Sequence, residues 1–100
     1  MEKDEEKIPY LGIWADLRRN YLKAEKPEEY EELAGENMLI EYLESFEDKY
    51  RDKFHEMVER QTEREGVDEE LKSQNPLEWV GRVNNIRSQV KEILTSEICS

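Results

Sequence analysis

Apolar residues return every three or four positions through almost the whole chain, and nowhere do they alternate with polar ones as a half-buried strand requires. After Gly12, the row Ile13, Trp14, Leu17, Tyr21, Ala24 predicts a first helix that ends near Lys26 and is closed by Pro27. Proline also suits the first turn of a new helix. Residues 27–34 therefore read as a short second helix, with Glu28 and Glu29 at its positive end and Gly35 as its stop. Asn37 is then placed to cap a long third helix over 38–65, whose apolar row is Leu39, Leu43, Phe46, Tyr50, Phe54 and Met57. Gly66 ends it, and Asp68 caps a short turn through Leu71. Asn75, Pro76, Leu77 and Glu78 form a capping-box-like start for a last helix over 76–97. Its row is Trp79 or Val80, Val83, Ile86, Val90, Ile93 or Leu94, and Ile98.

A helix over 38–65 spans about 42 Å at 1.5 Å per residue, too long for a globule of this size to cover on every side. It has to lie along another helix. The connection to the last helix is too short for a parallel return, so the expected fold is all-α: a small helical bundle with a long antiparallel pair (about 38–65 and 76–97) and the N-terminal helix packed across it. Residues 1–7 read as a flexible acidic tail and 8–100 as a single helical domain.

Composition narrows the function classes. Charged residues make up 41% of the chain and hydrophobic ones 36%, polar for a globular protein but with enough aromatic and aliphatic side chains for one core. No apolar run approaches the ~20 residues of a membrane span, and the acidic start is unlike a signal peptide, so a cytoplasmic protein without membrane contact is expected. Cys99, the single cysteine, reads as a free thiol near the C-terminus. The single histidine, His55, lies near Asp52, Glu56 and Glu59, but a helical di-iron site needs two Glu-x-x-His pairs and a metalloprotease helix a second histidine. No glycine-rich phosphate loop or nucleophile elbow occurs. The residues thus offer no catalytic, metal or cofactor site, and a non-enzymatic protein is expected.

Charge changes the picture most. The net charge is −11, and residues 1–66 hold 20 of the 26 acids. Such a field repels phosphates and attracts basic surfaces, which argues against direct nucleic-acid binding and for a basic protein partner. On the third helix, Glu41, Glu44, Asp48, Asp52, Glu56, Glu59 and Glu63 follow steps of three or four residues and share one stripe. Like-charge pairs such as Asp48 and Asp52 each cost a few tenths of a kcal/mol. A solvated face flanked by Lys49, Lys53 and Arg60 is the plain explanation, and a partner-binding face the sharper one. As a mimic of nucleic acid, one stripe supplies a charge every ~5–6 Å, against ~3.4 Å per phosphate on a DNA strand. Glu28, Glu29 and Glu32 would have to extend it, which requires the second helix to lie beside the start of the third. An alternative polar patch is Arg82, Asn84, Asn85 and Arg87, since asparagine is mildly unfavourable inside a helix and either meets carboxylates of the chain's own helices or an outside partner. Trp14 and Trp79 read as core, and Tyr10 and Tyr30 as alternatives for exposed anchors. A homodimer is compatible with these faces.

Two stretches carry a resemblance. In residues 17–33 its marks are Tyr21, Leu22, Lys23, Pro27 and Tyr30. In residues 63–98 they are Glu65, Gly66, Val67, Leu71, Trp79, Val80, Asn84, Ile86, Arg87, Glu92 and Ile93. Together they resemble the small transposon-encoded proteins called TnpV; residues 36–58 depart from that pattern. The resemblance implies residence on bacterial mobile genetic elements and brings no assigned activity and no catalytic residues. Combined with the charge, it leads to the expectation of an acidic regulator or inhibitor that occupies the basic nucleic-acid-binding surface of a partner, with anti-CRISPR-like DNA mimicry of a CRISPR effector as the specific case. The alternative is an accessory DNA-binding factor for transposon excision or transcription, using Arg18, Arg19, Arg82 and Arg87.

Overall fold

The computed structural model describes residues 8–100; the tail expected at 1–7 lies outside the described residues. The fold is all-α, with α1 Ile13–Glu25, α2 Pro27–Gly35, α3 Leu39–Arg64, α4 Glu69–Gln74 and α5 Pro76–Ile98. The chain forms two compact units, one running up to Arg51 and completed by Thr95–Ser100, the other Asp52–Leu94.

Within the first unit, Ala15, Leu22, Tyr30, Ala34, Leu39 and Leu43 form one buried cluster, with Ile8, Leu11, Tyr21, Leu33 and Tyr42 packed against it. α2 packs against α1 and contributes its Tyr30/Ala34 edge, four residues apart on one face, to the same cluster as Leu39 and Leu43 of α3. α1 turns a face inward that differs from the one its spacing predicts. Trp14, Ala15 and Leu22 are buried, whereas Ile13 and Ala24 are exposed. Tyr30 is 2% exposed, which removes it as a surface anchor; Tyr10, at 72%, stays outside.

The turn between α2 and α3 corrects the roles expected of Gly35 and Asn37. Gly35 is the last residue of α2, not its stop. Asn37 has φ 59°, its N–H donates to the Ala34 carbonyl, and the Met38 N–H donates to that of Leu33. This is a Schellman ending in which Asn37 takes the left-handed position usually given to glycine, so it closes α2 instead of capping α3. Asparagine tolerates that conformation better than other residues with a Cβ. Asn37→Ala is therefore expected to lower stability by about 1 kcal/mol, measured as a shift of the urea midpoint at unchanged m-value.

In the second unit, α3 ends by the same device with Gly66, φ 68°, at the left-handed position: Gly66 N–H donates to Glu63 O and Val67 N–H to Thr62 O. The chain turns, and buried Val67 joins Phe54, Ile86, Val90 and Leu94 inside. Asp68 caps α4, its Oδ1 accepting from the Leu71 N–H at 2.9 Å, and α4 runs three residues past the expected turn. At Asn75 only half of the predicted capping box forms. Its Oδ1 accepts from the Glu78 N–H, while its own N–H donates to Leu71 O and ends α4. Side-chain contacts run in opposite order along the two long helices: Phe54 meets Arg87, and Glu65, further along α3, meets Arg82. That is the antiparallel pairing expected of them. Along α5, Trp79 and Leu94 take the inward places left open between neighbours, and Val80 and Ile93 face out.

Candidate partner-binding surface

The exposed carboxylates follow from the buried faces. On α2, turning Tyr30 and Ala34 inward leaves Glu28, Glu29 and Glu32 outside. On α3, burial of Leu39, Leu43 and Tyr50 leaves Glu41, Glu44 and Asp48 in solvent in the first unit, and burial of Phe54 does the same for Asp52 and Glu56 in the second. All eight acidic residues singled out from the sequence are thus exposed. In the first unit Tyr30 and Ala34 of α2 share a buried cluster with Leu39 and Leu43 of early α3, while the carboxylates of both helices stay in solvent.

Neutralisation within the chain is partial. Arg51 pairs with Asp48 at 3.2 Å, and Arg60 pairs with Glu56. Among the described residues, no ion pair engages Glu28, Glu29, Glu32, Glu41, Glu44 or Asp52. Exposed pairs such as Arg60 with Glu56 contribute at most about 1 kcal/mol and open readily when a stronger cation source arrives.

One carboxylate of α3 outside that row behaves differently, and the spacing did not single it out as buried. Glu47 is 5% exposed, the one buried charged residue among those described. Its Oε1 accepts from the backbone N–H groups of Trp14 at 3.0 Å and Ala15 at 2.9 Å, while Arg51 stands 3.7 Å from Oε2. Trp14 and Ala15 are the second and third residues of α1, the donors that a cap normally satisfies, and Gly12 at the cap position has no side chain to do so. Glu47 therefore caps α1 from α3. The missing cap at Gly12 was the only sequence signal pointing to such a residue.

The arginine and asparagine patch divides. Arg82 lies 3.8 Å from the Glu65 carboxylate, and Arg87 places its guanidinium 5.1 Å from the centre of the Phe54 ring. Asn84 and Asn85 are exposed. In the first unit, Arg19 pairs with Asp16 at 3.9 Å, and Arg18 is held between aromatic rings. His55 is exposed and set edge-on to Phe54. Among the described residues, no group of three His, Cys, Asp or Glu is placed to hold a metal ion, and no helix is long and apolar enough to cross a membrane.

In comparison with known proteins, the family model described as transposon-encoded protein TnpV matches residues 1–99. No curated protein matches the chain, and no solved structure does.

Proposed function

Given that this chain belongs to the TnpV family of transposon-encoded proteins, we propose that it acts without catalysis, as a regulator or inhibitor that covers the basic nucleic-acid-binding surface of a partner protein in the cytoplasm. The observation that carries this reading is the set of exposed carboxylates Glu28, Glu29 and Glu32 on α2 and Glu41 and Glu44 on early α3, which no ion pair engages among the described residues. A single helical row is too sparse to imitate a phosphate backbone. Two neighbouring rows bring the charge density nearer to that of a DNA strand, and this makes a CRISPR effector or a similar nucleic-acid-processing protein the specific partner class. Electrostatic pairing of this kind gives fast association and a steep dependence on salt.

Affinity capture from host cells followed by mass spectrometry identifies the partner, and titration at several salt concentrations tests the mechanism. Binding is expected to weaken at least tenfold between 50 and 200 mM salt, as for complexes held by several charge contacts. The combined change Glu32→Gln, Glu41→Gln, Glu44→Gln is expected to weaken it by about tenfold at unchanged helicity, roughly 0.5 kcal/mol per charge. Affinity that ignores both salt and these substitutions would remove the proposal. The arginine-based alternative, an accessory DNA-binding factor, draws less support, because Arg18, Arg19 and Arg82 are engaged within the chain. It requires a gel shift with transposon-end DNA at low salt, which the present reading expects to be absent.

A further inference from the structure

In the second unit, the half-buried indole of Trp79 borders a notch of about 550 Å³. Val67 and Val83 give it apolar walls, and Glu63, Asp68 and Glu69 line it as well. Three features make this notch hospitable to a cation. The first is the indole, the ring whose face attracts cations most strongly; it already holds one, since the Lys72 ammonium stands 4.7 Å from the ring centre. The second is the end of α3, whose last turn reaches the notch at Thr62 and Glu63 and brings the negative end of the helix dipole there. The third is unbalanced charge. Asp68 is partly engaged in capping α4, while among the described residues Glu63 and Glu69 have no ion-pair partner.

We propose that this notch receives the guanidinium of an arginine side chain from the basic partner, stacked on Trp79 and balanced by Glu63 and Glu69. The planar guanidinium suits a slot with an aromatic wall and flanking carboxylates better than a lysine ammonium does. A half-buried aromatic anchor beside a diffuse acidic surface would supply the short-range specificity that long-range attraction lacks. Lys72 is then an internal competitor, holding the ring's attraction for cations until the partner arrives. The inference rests on the reading of a basic protein partner but not on which acidic surface that partner covers.

The test uses the ¹⁵N-labelled full chain and Nα-acetyl-arginine methylamide as probe, titrated at constant ionic strength against sodium chloride. The two indole N–H resonances are assigned with Trp79→Phe. The Trp79 signal is expected to shift saturably while that of Trp14, 3% exposed, stays in place. The lysine analogue is expected to bind more weakly. Glu63→Gln with Glu69→Gln should weaken the arginine probe about threefold or more, and Lys72→Met should tighten it by a similar factor, the size of one exposed cation–π contact. Equal or non-saturating movement of both indoles, or no response to the glutamate changes, would overturn the proposal. The Glu32, Glu41 and Glu44 changes are expected to leave this titration untouched, so a failed notch and a failed acidic surface give different results.

Discussion

Replacing Gly12 with alanine is expected to lower the unfolding free energy by about 4 kcal/mol, a large part of what a domain of this size possesses. Two effects add. Gly12 sits at φ 141°, ψ 170°, a backbone region open essentially to glycine alone, and forcing another residue there costs about 1–3 kcal/mol. The new Cβ would also overlap the carboxylate carbon and both oxygens of Glu47. Glu47 would have to withdraw, leaving the N–H groups of Trp14 and Ala15 without the acceptor they now share. Each hydrogen bond to a charged group contributes about 1.5–3 kcal/mol, part of which water recovers once the site opens. A double-mutant cycle in urea, followed by circular dichroism, separates the two effects. In a Glu47→Ala background the overlap disappears, so Gly12→Ala should cost only the backbone strain, and the pair should be non-additive by 1 kcal/mol or more. Strict additivity, or a loss below about 1 kcal/mol for Gly12→Ala alone, would refute the account.

That site also shows where reading the sequence reaches its limit. Glu47 sits four residues before Arg51 on a helix dense in carboxylates, and by spacing alone it is one more surface acid. Its role depends on a helix start 32 and 33 positions earlier in the chain. No local pattern links the two. Asn37 fails for a different reason: asparagine is as good a helix start as it is a left-handed helix end. Only the Met38 N–H bond to Leu33 decides between them. On α1 two apolar stripes overlap, and packing selects the one through Ala15 and Leu22 because these face Leu39 and Leu43.

Where backbone chemistry decides, the sequence is a good guide. Pro27, Gly66, Asp68 and Pro76 mark helix starts and stops through groups they carry or lack, and these stand within a residue of expectation, whereas the end of α4 lies three residues beyond it. The exposed acidic rows were legible for a related reason, since once the inward face of a helix is known the outward one follows. The Trp79 notch was not, because its walls come from both sides of the Gly66 turn and exist only after α3, α4 and α5 are in place.

The same dependence on distant partners governs Arg18, whose replacement by methionine is expected to cost about 3 kcal/mol. Its Nε–H donates to the Tyr42 hydroxyl at 3.0 Å, one Nη donates to the Ile98 carbonyl at 2.9 Å, and the guanidinium lies 5.4 Å and 5.3 Å from the ring centres of Tyr21 and Phe46. Ile98 ends α5, so its carbonyl is one of those a helix leaves without an internal partner, and a cation there also complements the dipole. Two charge-assisted hydrogen bonds and the ring contacts together account for about 3 kcal/mol. Methionine keeps the apolar stem and removes every one of these interactions. Lysine retains the charge but lacks the planar fork that serves Tyr42 and Ile98 at once, so Arg18→Lys should lose roughly half as much. The loss has a location as well as a size. Amide exchange at residues 95–99 should accelerate in Arg18→Met before the rest of the chain opens, because the guanidinium ties the last turn of α5 to α1 and α3. Unchanged exchange there, with stability nonetheless lowered, would mean that Arg18 acts through its packing against the rings and not as the clasp on the end of α5.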